Sequence, residues 1–194
     1  MSQKVPLWMC LIIAFLVGVV GFFSGFATGG NHGGFFADLF ATESRAKIKN
    51  PKRIDRPGYS VDYPSNWTID RSDPEFDLDH YLMLESPGGS YVWFMFSGAE
   101  DPEEAAATQV ESYSEGMRAM KVDDFSEYGN LEGIGKRVSG RYFAFRVEVN
   151  IFCALQGETA VTIIEFAYLE DLPLAKPGFE LVRDSFLMKP DPTP

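Results

Sequence analysis

The sequence predicts an α+β domain built on an antiparallel β-sheet and preceded by an N-terminal transmembrane helix. Three observations carry this. Apolar side chains alternate with polar ones over Arg141–Leu155, the signature of a strand with one buried face. Asp101-Pro102-Glu103-Glu104 opens a segment with apolar residues at helical spacing. No charged residue occurs between Lys4 and Asp38, and residues 5–27 are almost wholly apolar.

The alternation is the architectural centre. Phe143, Phe145, Val147, Val149, Ile151, Cys153 and Leu155 fall at every second position, with Arg146, Glu148 and Asn150 between them. This reads as one long strand. Gly157 then permits a tight reversal into Thr159–Tyr168, rich in β-forming residues. The pair is expected as a hairpin in the middle of the sheet. The polar side chains Glu148 and Glu165 count as nearly opposite across it, with Arg146 nearby to balance them in a structural ion pair.

The N-terminal run is long enough to span a bilayer as a helix, with Pro6 suited to its first turn and Trp8 to the interface. Its length favours a retained anchor over a signal peptide; cleavage near Ala27, giving a secreted chain, is the alternative. Lys4 and the free amine favour a cytoplasmic N-terminus and an extracytoplasmic domain. Gly21, Gly25 and Gly29 form a small-residue stripe through which two such helices could pair. Residues 28–56 read as a linker, glycine-rich and then basic.

Charge is distributed unevenly. Of the 17 Lys and Arg, seven precede position 57 (Lys4, Arg45, Lys47, Lys49, Lys52, Arg53, Arg56); of the 28 Asp and Glu, three do (Asp38, Glu43, Asp55). The remainder carries a net charge of −15, which repels phosphate backbones and argues against a nucleic-acid partner. The two cysteines, Cys10 and Cys153, both lie in apolar surroundings and do not suggest a disulfide framework.

From Gly58 the elements follow in order. Tyr59, Val61 and Tyr63 alternate with Ser60 and Asp62 as a first or edge strand that Pro64 ends. Residues 70–79 form an acidic loop. Its Asp73-x-Glu75-x-Asp77 spacing resembles a calcium loop, but Leu78 stands where such a loop needs glycine and Leu84 where it needs glutamate. Leu78–Ser86 and Tyr91–Ser97 read as strands around Pro87-Gly88-Gly89-Ser90. The second is apolar on both faces and so is expected to be interior. Asp101 caps a helix whose inner stripe is Ala106, Val110, Tyr113, Met117 and Met120, closing near Lys121. Phe125–Val138 is strand-like and interrupted by glycines. Pro177 is expected to open a second helix with Phe179, Val182 and Phe186 inward. The tail 190–194 has no means of packing.

The opening Gly58-Tyr59-Ser60-Val61-Asp62-Tyr63-Pro64-Ser65-Asn66-Trp67 resembles the start of PsbP-like and DcrB-like domains. The Asp101–Met120 helix, the aromatic strand with its hairpin partner, and the closing helix with Asp184-Ser185-Phe186 are similar to that family too. The resemblance spans residues 57–189. It implies an α/β/α sandwich, an antiparallel sheet with helices on both faces. It also implies a role in binding partners, since the family includes extrinsic photosystem subunits, a nuclear-import factor group and bacterial secreted or lipid-anchored proteins. The family has no shared site, so it assigns no functional residues here.

Catalytic signatures are absent. There is no G-x-S-x-G and no phosphate-binding loop, and Gly133-Ile134-Gly135 continues to Val138 rather than to a third glycine. The two histidines, His32 and His80, lack partners at metal-ligand spacing. The chain therefore reads as a non-enzymatic, membrane-anchored binding or assembly module with no cofactor or metal and an unidentified protein partner. The expected binding surface is the polar strand face of Arg146, Glu148 and Asn150. The alternative is a small-ligand pocket between sheet and helices lined by Trp93, Tyr113 and Tyr142.

Overall fold

The structure, a computed structural model, describes residues 45–73 and 76–189, all within the compact unit Glu43–Pro194. The expected membrane helix, the Gly21–Gly25–Gly29 stripe, the glycine-rich part of the linker and the tail 190–194 lie outside the described residues. Among the described residues, no helix is long and apolar enough to cross a membrane.

Two sheets and two helices make up these residues. The strands are β1 Lys52–Asp55, β2 Tyr59–Tyr63, β3 Thr68–Ile69, β4 Tyr81–Glu85 and β5 Tyr91–Ser97. Helix α1, Pro102–Ser114, follows. Then come β6 Arg118–Tyr128, β7 Leu131–Tyr142, β8 Phe145–Gln156, β9 Thr159–Tyr168, helix α2 Leu172–Ser185 and β10 Leu187–Met188. The larger sheet runs β3-β4-β5-β9-β8-β7-β6, antiparallel throughout, and the smaller runs β1-β2-β10. The β8–β9 hairpin is central, as the alternation predicts.

The larger sheet is covered on both faces, so each of its central strands feeds two cores. On one face Val147, Val149, Ile151 and Cys153 of β8 join Ile164 and Phe166 of β9 beneath Ala105 and Ala106 of α1. On the other, Phe94, Phe152, Val161 and Ile163 pack against Phe179 and Val182 of α2 and Tyr59 and Val61 of β2. Each such side chain contributes roughly 1.5–3 kcal/mol on full burial. The fold is α+β, with a helix on each face of an antiparallel sheet.

Several elements differ from expectation. Arg141–Leu155 is not one strand: Phe143 and Ala144 form a two-residue turn, and Tyr142 pairs with Phe145 across it. Phe143 consequently leaves the apolar face and is exposed; Leu155 keeps its place on that face but is exposed near the far end of β8. Helix α1 stops at Ser114, because Gly116 adopts a left-handed φ of 78° and the chain turns back into β6. Met117 still reaches the core, filling the space beside Gly140, where a Cβ would meet its sulfur at 2.4 Å. Met120 is exposed.

Helix α2 begins earlier than Pro177. Pro173 occupies its first turn, where a missing N–H costs nothing, and Pro177 lies inside the helix. Phe179, Val182 and Phe186 are buried as expected. β2 is not an edge strand but the middle of the smaller sheet. The end of the basic run also belongs to the fold: Lys52–Asp55 is β1, Arg53 pairs with Asp62, and Arg56 grips both oxygens of Asp79 at 2.8 and 2.7 Å. Still earlier, Ala46 is buried and its N–H donates to the Leu174 carbonyl.

Candidate functional site

The sheet face turned toward α2 carries polar residues in three successive rungs. One member of each comes from β8, and neighbouring strands supply side chains on the same face.

The innermost rung is Asp123, Arg137, Asn150 and Glu165, contributed by β6, β7, β8 and β9 in turn. Glu165 thus stands opposite Asn150. Glu148 faces Ala167, so the expected Glu148–Glu165 opposition is off by one rung. The rung is wired laterally. Arg137 Nε donates to Asn150 Oδ1 at 2.9 Å, Asn150 Nδ2 donates to Glu165 Oε2 at 3.1 Å, and Arg183 of α2 donates to Glu165 at 2.8 Å. Glu165 is 1% exposed. Burial raises its carboxyl above the usual range, while Arg183, Asn150 and Tyr128 pull it back. For Arg183, burial acts to lower the pKa and Glu165 outweighs it, so the guanidinium is held above its ordinary value. The Arg183 guanidinium also lies over the Tyr128 ring, 5.3 Å from its centroid. This arrangement leaves Glu165 no access to solvent or substrate. It pins α2 to the sheet.

The middle rung is Lys121, Ser139 and Glu148. Glu148 lies 3.9 Å from Arg137. The outer rung is Arg118, Arg141 and Arg146: three arginines directly opposite one another on β6, β7 and β8. Arg146 meets Glu170 at 3.7 Å, while Arg118 and Arg141 make no ion pair among the described residues. Like charges placed opposite each other across strands repel, so this rung costs stability.

Beyond the arginines lies the β7–β8 turn. Phe143 is 98% exposed and held at a left-handed φ of 51°, which a bulky residue rarely adopts. Phe145 is 53% exposed and meets Tyr168 edge-on. Met120 of β6 is exposed in a bulge opposite Gly140, its sulfur against the Ser114 hydroxyl of α1. One end of the larger sheet therefore presents exposed aromatic and cationic groups together.

The predicted polar face is real but divided. Asn150 is half-buried between Arg137 and the sealed Glu165, Glu148 is half-buried beside Arg137, and Arg146 is exposed at the open end. Tyr113 of α1 and Trp93 and Tyr142 of the sheet are partly buried and pack against the core between α1 and the sheet. Tyr113 hydrogen-bonds Tyr91 hydroxyl to hydroxyl at 3.0 Å, and the Tyr142 hydroxyl donates to the Tyr113 carbonyl. Neither of two mapped depressions is lined by them. One is an open groove of about 610 Å³ at the start of α1, bounded by Asp101, Glu103, Glu127, Glu132, Ile134 and Leu155. The other is a cavity of about 10 Å³ beside Trp67 and Ser90.

Sequence reading missed Arg118, Arg141 and Phe143. The doubled aromatic flank Tyr142-Phe143-Ala144-Phe145 was the available signal, since two strands can meet there without breaking the alternation.

In the acidic loop, Asp77 accepts from the Asp79 N–H and from His80, and Asp79 from Arg56; these bonds lower both carboxyls. Among the described residues, no group of His, Cys, Asp and Glu is placed to hold a metal ion.

No family model matches the chain, and no curated protein matches it. Solved structures similar to it include cyanobacterial PsbP (CyanoP) from Synechocystis, 13% identical over 84% of this chain and 99% of that one, with a TM-score of 0.45. LpqN of Mycobacterium tuberculosis, involved in cell envelope biogenesis, is 9% identical over 75% of this chain and 99% of its own, with a TM-score of 0.49. A Bacteroides thetaiotaomicron protein is 11% identical over 72% of this chain, with a TM-score of 0.48; the chain spans about half (49%) of that protein's length. PsbP is thus found among the structural neighbours as well as in the sequence resemblance.

Proposed function

We propose that the chain is a non-enzymatic binding or assembly module, tethered outside the cytoplasm by its N-terminal apolar run. The observation that carries this reading is the division of the polar face. Its only fully buried carboxylate, Glu165, is sealed and tied to Arg183, whereas its outer rung is open and cationic. Glu165 is committed to its contact with Arg183, and the exposed arginines of the outer rung are left for recognition. The charge-free stretch between Lys4 and Asp38 supports the tether, and Lys4 at its start supports an extracytoplasmic domain.

Capture from solubilised membranes at several salt concentrations tests the binding role. A reproducible protein partner that is retained by the wild type and lost on Arg146→Glu is the expected result; no such partner at any salt overturns it. Membrane fractionation and protease protection test the tether and its orientation separately.

A further inference from the structure

We propose that the β7–β8 hairpin end is a docking surface for an anionic lipid bilayer, holding the domain against the membrane in one orientation. The proposal builds on the tethered reading, because a tether keeps the domain within reach of a bilayer.

Its form follows from the order of groups along the hairpin. Phe143 is at the apex and 98% exposed, and Phe145, the second residue after it, is 53% exposed. Arg141 and Arg146 lie behind the turn, one residue back from the Tyr142–Phe145 pair, and Arg118 extends their row. At about 3.4 Å per strand residue, the apex leads the arginines by roughly 7–10 Å. That matches the depth of about 5–10 Å to which interfacial elements bury apolar groups, with their cations left at the headgroups. An acidic protein partner would complement the arginines but would give no reason for an unsupported phenylalanine leading them.

Charge selects the orientation. Residues 57–194 carry a net charge of −15, so an anionic surface repels most of their faces and favours approach through this cationic end over those. Two costs in the fold are accounted for by the same role. Three arginines stand directly opposite one another, and a bulky aromatic occupies a left-handed turn position.

The test uses the full chain in lipid nanodiscs, in a Cys10→Ser background where Cys153 stays buried. A fluorophore is placed at Ala144→Cys in the turn, or at Glu158→Cys in the exposed turn at the opposite end of β8. In phosphatidylglycerol discs, brominated lipid should quench the label at 144 and not at 158, and quenching should largely disappear in phosphatidylcholine. Arg118→Glu and Arg141→Glu should each shift the docked-to-free ratio at least about fivefold, the weight of one charge at such a surface. Phe143→Ser should reduce quenching without changing its salt dependence. No quenching at 144, equal quenching at 144 and 158, or quenching indifferent to lipid charge and to the arginines overturns the proposal. If the chain fails to stay with the discs after a high-salt wash, the tether reading fails instead. Flotation of the same protein with phosphatidylglycerol vesicles then tests the hairpin directly.

Discussion

Arg183, near the end of α2, donates to both carboxylate oxygens of Glu165 in the centre of the larger sheet, at 3.1 and 2.8 Å. Removing one partner of a buried pair strands the other. Arg183→Met should therefore cost about 3 kcal/mol at neutral pH, the lower end for such pairs because Arg183 is partly exposed. The sign of its pH dependence follows from Glu165. Its folded carboxyl is already raised by burial, and losing Arg183 raises it further. A raised acid keeps its proton in the folded state after the unfolded chain has released it, so stability falls as pH rises above the ordinary glutamate range. The deficit should be largest near pH 7 and shrink toward about pH 4. Urea unfolding at the two pH values reads this; an equal deficit at both would contradict it.

Gly178 lies inside α2, where alanine ordinarily gains about 1 kcal/mol in helix propensity. Here a Cβ would sit 2.4 Å from the fully buried Trp67 ring. The ring is hemmed in by Phe179, which meets it edge-on, so it has little room to yield. Overpacking costs typically 1–3 kcal/mol and should outweigh the propensity gain. Gly178→Ala is expected to lower Tm by a few degrees in a thermal melt; a rise would show that α2 can move away.

Phe143 pays for its left-handed turn position without any compensating burial. Phe143→Gly should raise stability by about 1 kcal/mol, read as a higher midpoint in urea at unchanged slope. If the hairpin docks on lipid, the same change should weaken docking. Stability and binding would then move in opposite directions at a single residue.

Cys153 is 1% exposed, and burial pushes its thiol up, so little thiolate is available. In a Cys10→Ser chain, a thiol reagent should label it at the rate of unfolding. Rapid labelling without denaturant would show that the core under α1 opens locally.

The small cavity beside Trp67 gives a fifth expectation. Trp67 Nε1 and Ser90 Oγ are buried without protein partners, and both residues line the space of about 10 Å³. That is room for about one water, which would satisfy both groups. A long-lived water detected by magnetic relaxation, and lost in Ser90→Ala, is expected.

Much of the fold was legible because its signals are local. β5 shows apolar residues on both faces, β9 a dense run of β-formers, and α1 a proline start behind a capping aspartate. The turn at Phe143-Ala144 was hidden by parity. A two-residue loop leaves the in–out alternation intact, so Phe145 and Val147 continue the rhythm as though no reversal had occurred. Phe-Ala also carries none of the usual turn chemistry. The arginine rung was invisible for a different reason. It depends on the register of three strands and on a bulge at Ala119–Met120, and none of these is encoded by neighbours in sequence. Glu165 reads as balanced by Arg146 because its actual partner, Arg183, lies on a helix 18 residues away.

β10 contributes only Leu187 and Met188, yet it pairs with β2 at Ser60 and Tyr59, and Ser185 just before it hydrogen-bonds both the N–H and the carbonyl of Asp62. The start and finish of the domain are fastened together. During synthesis the smaller sheet therefore cannot close until the last residues have left the ribosome, and Tyr59 and Val61 must wait with their apolar surfaces unsatisfied. Loss of the few residues after α2 should thus trouble the nascent chain more than their small share of the buried surface suggests.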